Sequence, residues 1–238
     1  MEIQDKVVII TGASSGIGLA AAKLFSQKKA KLALVARTAS KLKQLAQELP
    51  GSAAFPTDIR DEQAVRKMIH DVYRHFGRID VLINNAGQGM HVIVEKANID
   101  QYRSIIELNI IGVLVAMQEV IPIMRKQKDG AIINISSGLS KRIVPTVGPY
   151  ASTKYALNAL SLTARLELAD DNIRVGIVIP SVTETDFFKN TIRLEDSSSS
   201  YPRSSIKADS PEHVAEKILE AVITGAAEIY ADSILPKS

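Results

Sequence analysis

The chain has no cysteine and no tryptophan, and only 5% of its residues are aromatic. Without cysteine, disulfides and thiolate metal centres are excluded, and no metal site is expected. An excess of one charge is also missing: 29 basic against 26 acidic residues leave a net +3, scattered with no block of five like charges. Nucleic-acid binders usually gather basic residues on one face, so no nucleic-acid partner is expected. Long apolar runs are scarce too. The longest, Ile110–Met117, holds eight residues between Asn109 and Gln118. A membrane span needs about 18 or more, so no membrane partner is expected. Met1–Lys6 enters a strand-like run without the basic, apolar and small-residue zones of a secretory signal. A cytoplasmic location is the expectation.

What is present is an alternation of short β-branched runs and longer helical patterns. Val7–Ile10, Leu32–Ala36, Ala53–Thr57, Val81–Asn84, Ala131–Ile135, Val175–Ile179 and Ile229–Ala231 read as strands. Their almost unbroken apolar character suits a parallel sheet covered on both faces. Between them, Ile17, Ala20, Ala21, Leu24 and Phe25 share one helical face, as do Val65, Met68, Ile69, Val72 and Phe76, and Leu42, Leu45, Ala46 and Leu49. Asn98 with Gln101 three residues on, and Ser210-Pro211-Glu212, mark helix starts. Pro56 points to an edge strand or a strand end. With right-handed crossovers, the chain is expected to form a single α/β domain over residues 1–238, a Rossmann-like doubly wound sheet. The segment 187–205 breaks the alternation; it reads as a substrate loop over the strand ends or as a tolerated surface loop.

The first strand runs into Thr11-Gly12-Ala13-Ser14-Ser15-Gly16-Ile17-Gly18 and then a helix. Gly12 permits the sharp turn, Gly16 lets backbone approach a pyrophosphate, and Gly18 lets helix and strand pack closely. A phosphate would sit at the positive end of the helix. The spacing is G-x-x-x-G-x-G and not the G-x-G-x-x-G fingerprint. Where that fingerprint places an acid against a ribose 2′-hydroxyl, this chain has Ala36-Arg37-Thr38. Arg37 can pair with a 2′-phosphate, which predicts NADP(H); otherwise it is a surface arginine. Asp58 could bond an adenine amino group or cap the helix beginning near Asp61. Asn84-Asn85-Ala86-Gly87 allows close cofactor approach, or is a simple turn.

Tyr150 and Lys154 stand four residues apart on a predicted helix and so share a face. A nearby ammonium and an oxidised nicotinamide, both cationic, would lower the phenol from its ordinary pKa of about 10, towards the range useful for general acid–base work. Ser137, just beyond the fifth strand, could stabilise charge developing on a carbonyl oxygen, or be a turn residue. Asn109 lies mid-helix among apolar neighbours and needs a buried partner; water linking it to Lys154 is one candidate.

Taken together, Thr11–Gly18, Asp58, Asn84–Gly87, Asn109, Ser137, Tyr150, Lys154 and the Pro180–Thr185 turn resemble the short-chain dehydrogenase/reductase family in its compact, single-domain form. The resemblance implies a seven-stranded parallel sheet and transfer of the pro-S hydride of a nicotinamide. It implies that Tyr150 protonates the alkoxide, Ser137 orients the carbonyl, Lys154 binds the nicotinamide ribose, and Asn109 holds a relay water. Gly12, Ser14, Ser15, Gly16, Ile17 and Gly18 would contact phosphates and ribose. Asp58, Ile59, Asn85 and Ala86 would surround the adenine and its ribose, Val182 and Thr185 would belong to the turn that contacts the nicotinamide carboxamide, and Gly87 and Pro180 would also bind the cofactor. The family often has Pro-Gly where this chain has Pro180-Ser181; if positive φ is needed there, Ser181 costs about a kcal/mol.

The expected activity is an NADPH-dependent carbonyl reductase acting on a small, lipophilic carbonyl or alcohol, because Met90, Leu139, Val144, Val147, Phe187 and Phe188 flank the strand ends. A 3-oxoacyl carrier reductase and an oxidative alcohol dehydrogenase share the chemistry; a non-catalytic NADP-binding regulator is the contrasting reading. His91 reads as a loop histidine, and Lys141 and Arg142 as a rim that could meet an anion. A homodimer or homotetramer is expected through two long helices, roughly 101–125 and 150–169.

Overall fold

In the computed structural model, residues 1–193 and 208–231 are described; the part of the proposed substrate loop from 194 to 205 lies outside them. Seven parallel strands carry the chain: β1 (Val7–Thr11), β2 (Lys31–Ala36), β3 (Ser52–Pro56), β4 (Val81–Asn84), β6 (Gly130–Ile135), β7 (Ile173–Ile179) and β9 (Glu228–Tyr230). Two further short strands, β5 (Met90–His91) and β8 (Ile192–Arg193), pair with each other outside this sheet. The large sheet runs β3-β2-β1-β4-β6-β7-β9. This is the Rossmann-like, doubly wound order expected from the alternation, with β3 and its Pro56 at an edge. The order reverses between β1 and β4, where a crevice opens beyond the strands' carboxyl ends.

The continuous apolar runs follow from burial on both faces. In β1, Val8 and Ile10 point to one side with Leu32 and Leu34 of β2, while Val7 and Ile9 point to the other with Ala33 and Val35. The first side is covered by α1 (Gly16–Gln27), α2 (Ala39–Glu48) and α7 (Pro211–Thr224), through Ala21, Phe25, Leu42, Leu45, Val214 and Ile218. The second is covered by α3 (Glu62–Phe76), α5 (Gly112–Gln127) and α6 (Gly148–Glu167), through Val65, Ile69, Met117, Val120, Leu157 and Ala164. Each fully buried Val, Leu, Ile, Phe or Met among them contributes about 1.5–3 kcal/mol.

The helix boundaries have local causes. Asp61 caps α3 by accepting from the Ala64 N–H, and Gly77 ends it in the left-handed region. Asn98 caps α4 (Ile99–Ile106), and Ser210 caps α7 with Pro211 beside it. The long helix expected over 101–125 is instead α4, a π-helical turn over Glu107–Ile111, and α5. Among the described residues this composite stretch, Ile99–Gln127, is long and apolar enough to cross a membrane by those two criteria alone. Much of its apolar surface lies in the core against β4, β6 and α3.

Candidate active site

The turn after β1 is held from the neighbouring strand. The Thr11 hydroxyl accepts the N–H groups of Asn85 (2.9 Å) and Ala86 (3.0 Å), and Asn85 Nδ2 donates to the Thr11 carbonyl at 2.9 Å. Gly12 has φ +68 and Gly16 φ +51, a region in which side chains are strained. A Cβ on Gly18 would lie 2.3 Å from the Gly12 carbonyl oxygen. The N-terminus of α1 is open: Ser15 makes no side-chain cap, and the first turn carries no acidic residue. Ser15 is exposed, while Ser14, Gly16 and Ile17 are half-buried around it. Unpaired N–H groups beside a positive helix end are a fitting cradle for a pyrophosphate.

Arg37 is exposed beyond β2, near enough to Asp58 for its charge to lower the Asp58 carboxyl. Asp58 is already engaged, because Arg60 Nε and Nη2 meet both its oxygens. That pairing, more than Arg37, holds Asp58 below its ordinary range. Asp61, not Asp58, caps α3, so the capping alternative for Asp58 is removed. Ile59 is buried, its carbonyl set so close to Gly112 that a Cβ there would meet it at 2.1 Å. Asn85, Ala86 and Gly87 are half-buried between these groups and Lys154.

Across the crevice, α6 brings Tyr150 and Lys154 to one side. The Ser137 side chain stands close enough to the Tyr150 phenol to pull its pKa down, and Lys154 Nζ donates to the Ile135 carbonyl at 2.8 Å and stands 5.9 Å from the Tyr150 ring centre. Burial dominates both ionisations: it pushes the Tyr150 phenol up to about 12, against the pull of Ser137, and the Lys154 amine down to about 8. In the chain by itself desolvation outweighs the neighbouring amine; the expected lowering invoked the charge of a bound nicotinamide as well. At neutral pH the phenol keeps its proton, as a general acid must.

Asn109 sits in the π-helical turn, fully buried. Its Oδ1 accepts the Gln88 N–H at 3.0 Å, and its Nδ2 donates to the Gln88 carbonyl at 3.0 Å and the Thr153 hydroxyl at 3.1 Å. The buried partner is thus protein, and both amide protons of the side chain are committed to Gln88 and Thr153. Pro180 accepts the Gly138 N–H through its carbonyl, Val182 accepts the Asp209 N–H, and Thr185 packs towards Gly16. Ser181 is not among the residues with positive φ, so the expected strain there is absent.

Other positions need correction. Lys141 is paired with Glu228 at 2.9 Å and lies over the Tyr230 ring, so it is not an idle rim charge. His91 belongs to β5 and is half-buried, with Nε2 2.6 Å from the Thr146 hydroxyl. Burial and the nearby Arg193 lower its pKa.

Further residues build the site. Thr11, Gln88 and Thr153 hold Asn85, Asn109 and the Tyr150 carbonyl. Phe187 lies 5.8 Å from the Tyr150 ring, and a Cβ on Gly89 would meet it at 3.0 Å. Thr11 carried a signal, standing inside the glycine motif, and Phe187 stood among the apolar residues expected at the strand ends; the pairings of Asn109 with Gln88 and Thr153 are long-range and leave no local pattern.

A family model of the short chain dehydrogenases matches residues 6–196. An uncharacterized oxidoreductase of Staphylococcus saprophyticus is 40% identical over 188 residues, spanning 77% of this chain and 76% of that one. One of Staphylococcus aureus is 30% identical over 222 residues, 92% of each chain. Among solved structures, a 3-ketoacyl-(acyl-carrier-protein) reductase from Brucella melitensis, complexed with NADH, superposes with a TM-score of 0.88 at 26% identity, over 97% of this chain and 98% of that one. The chain belongs to the short chain dehydrogenase family and is an oxidoreductase with a nicotinamide cofactor.

Proposed function

We propose that the protein is an NADP(H)-dependent reductase that converts a lipophilic carbonyl compound to a secondary alcohol, with Tyr150 as the acid. The observation that carries this reading is the proton-holding Tyr150 phenol, beside the Ser137 side chain and one helical turn from Lys154. The bound nicotinamide supplies the hydride. The chain's residues do the rest: the Ser137 hydroxyl orients the carbonyl oxygen, and Tyr150 delivers a proton to that oxygen as charge develops on it. Lys154, held by the Ile135 carbonyl, places a cation beside the phenol and would hold the nicotinamide ribose.

Gly12–Gly18 would hold the phosphates, Asp58 through Ile59 and Asn85 through Gly87 the adenosine side, and Pro180, Val182 and Thr185 the carboxamide. Arg37 favours NADP(H), as no acid closes β2 to repel a 2′-phosphate. The apolar wall of Met90, Leu139 and Phe187 beside Tyr150 supports a lipophilic substrate. A 3-oxoacyl thioester is the second reading, supported by the likeness to the Brucella reductase. We also propose a cytoplasmic homo-oligomer packed through α4–α5 and α6, supported by Leu166 and Tyr155, 80% and 40% exposed on α6; light scattering would test this.

The test of function is NADPH oxidation with a quinone, a steroid ketone, an aromatic aldehyde and a 3-oxoacyl thioester. Tyr150→Phe should lower turnover by about a thousandfold while NADPH still binds, followed by its own fluorescence. Unchanged turnover in that variant sinks the reading.

A further inference from the structure

Helix α6 does more than carry Tyr150 and Lys154. One turn further along the same face stands Asn158, 7% exposed. A primary amide facing a core costs free energy unless its groups are paired, and here the pairing is specific. Asn158 Oδ1 accepts from the Ser136 hydroxyl at 2.5 Å, and Nδ2 donates to the Ser140 hydroxyl at 2.8 Å. Ser140 Oγ in turn donates to the Ser137 carbonyl at 2.7 Å. The hydroxyls of Ser136 and Ser140 are themselves buried and 3.1 Å apart. Three successive turns of α6 thus grip the end of β6: Tyr150 at the Ser137 hydroxyl, Lys154 at the Ile135 carbonyl, and Asn158 at the residues either side of Ser137.

We propose that Asn158 is a positioning residue that, through Ser136 and Ser140, fixes the Ser137 hydroxyl against the Tyr150 phenol. This rests on the roles of Ser137 and Tyr150 proposed above. A purely apolar residue would serve packing as well; the amide is needed because it reads two hydroxyls that flank one turn. The Ser137 side chain is otherwise held by little, accepting only a long 3.2 Å bond from the Leu139 N–H besides its contact with Tyr150. Its position is therefore set mainly by its backbone, and the backbone is what Ser140 clamps.

The experiment is a double-mutant cycle of Asn158→Ala and Ser137→Ala, assayed with NADPH and whichever carbonyl of the panel above the wild type reduces fastest. Asn158→Ala alone should lower kcat about tenfold, leaving the KM and dissociation constant for NADPH within about twofold. In the Ser137→Ala background the same change should cost almost nothing, because the hydroxyl it positions is gone. Additive losses, or an equal loss of NADPH affinity, overturn the proposal. If Asn158→Ala does not fold, Ser140→Ala repeats the cycle, since it cuts the hydroxyl link between Asn158 and the Ser137 carbonyl and keeps every residue of α6. Turnover surviving Tyr150→Phe overturns the underlying reading and this inference with it; turnover lost there, with an additive cycle, overturns this inference alone.

Discussion

The turn that follows β1 and the segments that flank Tyr150 face the same crevice, yet they are built in different ways. The first is a matter of backbone. Gly12 and Gly16 adopt positive φ, Gly18 leaves no room for a Cβ, and Thr11 ties the turn to the strand beside it. The second is a matter of side chains and distant partners. Phe187 reaches Tyr150 because β8 pairs with β5, the Ile192 N–H donates to the Gly89 carbonyl, and Gln88 Nε2 donates to the Asn190 carbonyl. A half built by backbone and a half assembled from distant side chains teach where change is tolerated. In the first, one methyl group is an obstruction; in the second, a substitution should alter the fit of substrate and leave the frame standing.

The strongest way to break this contrast is Gly18→Ala. Its Cβ would overlap the Gly12 carbonyl, and overpacking against backbone costs about 3 kcal/mol. The melting temperature should fall by several degrees and NADPH binding should weaken with it. A melt like that of the wild type would mean the turn is more yielding than its geometry implies.

The buried pair on α6 gives the next effect. Lys154 has its folded pKa lowered to about 8 from 10.5, so its folded form resists charging, and stability is lost as pH falls from 10.5 towards 8. Tyr150 is raised to about 12 from 10.0, so its contribution is present below 10 and lost as pH rises through 12. Lys154→Met should therefore gain stability relative to wild type between pH 10 and pH 8, by about 2 kcal/mol. Urea unfolding at both values measures it; a constant difference between the two proteins would show that Lys154 is not desolvated.

Arg37→Ala sharpens the comparison from the cofactor side. It should weaken NADPH about tenfold, the loss of one charge-assisted pair, and change NADH little. Equal losses for both cofactors, in fluorescence titrations, would remove the 2′-phosphate role. On the substrate side, Gly89→Ala meets Phe187 and Thr191 side chains at 3.0 and 2.8 Å, atoms that can move. KM for the carbonyl should rise about fivefold, with NADPH affinity and melting temperature kept. A fall in stability like that of Gly18→Ala would erase the distinction between the two halves.

The same distinction explains what could be read from the sequence. The sheet was legible because its strands, buried on both faces, are apolar without alternation, and Pro56 marked the edge where a missing N–H is harmless. The glycine turn was legible because only glycine tolerates its backbone. Tyr150, Lys154 and Ser137 stood out through spacing within one helix and beside one strand. The pairing of β5 with β8 was not legible: two residues on each side carry no periodicity, and about 100 positions separate them. Nor was the Asn109 environment, since its partners, Gln88 and Thr153, come from a loop and another helix. The dominance of burial over the Lys154 charge at Tyr150 depends on how deeply the two groups are enclosed, which spacing does not reveal.

The wide turn at Glu107–Ile111 has a consequence of its own. A regular α-helix from Ile99 to Gln127 would have to choose between two rotational settings, one suiting the contacts of α4 and one suiting the close seat of Gly112 on Ile59. Loosening the coil at this point frees each half to find its own angle and sends Asn109 inward at the junction. Shortening the bulge by one residue would swing every later side chain by about 100°, so this stretch should accept exchanges of residue type far more readily than changes in length.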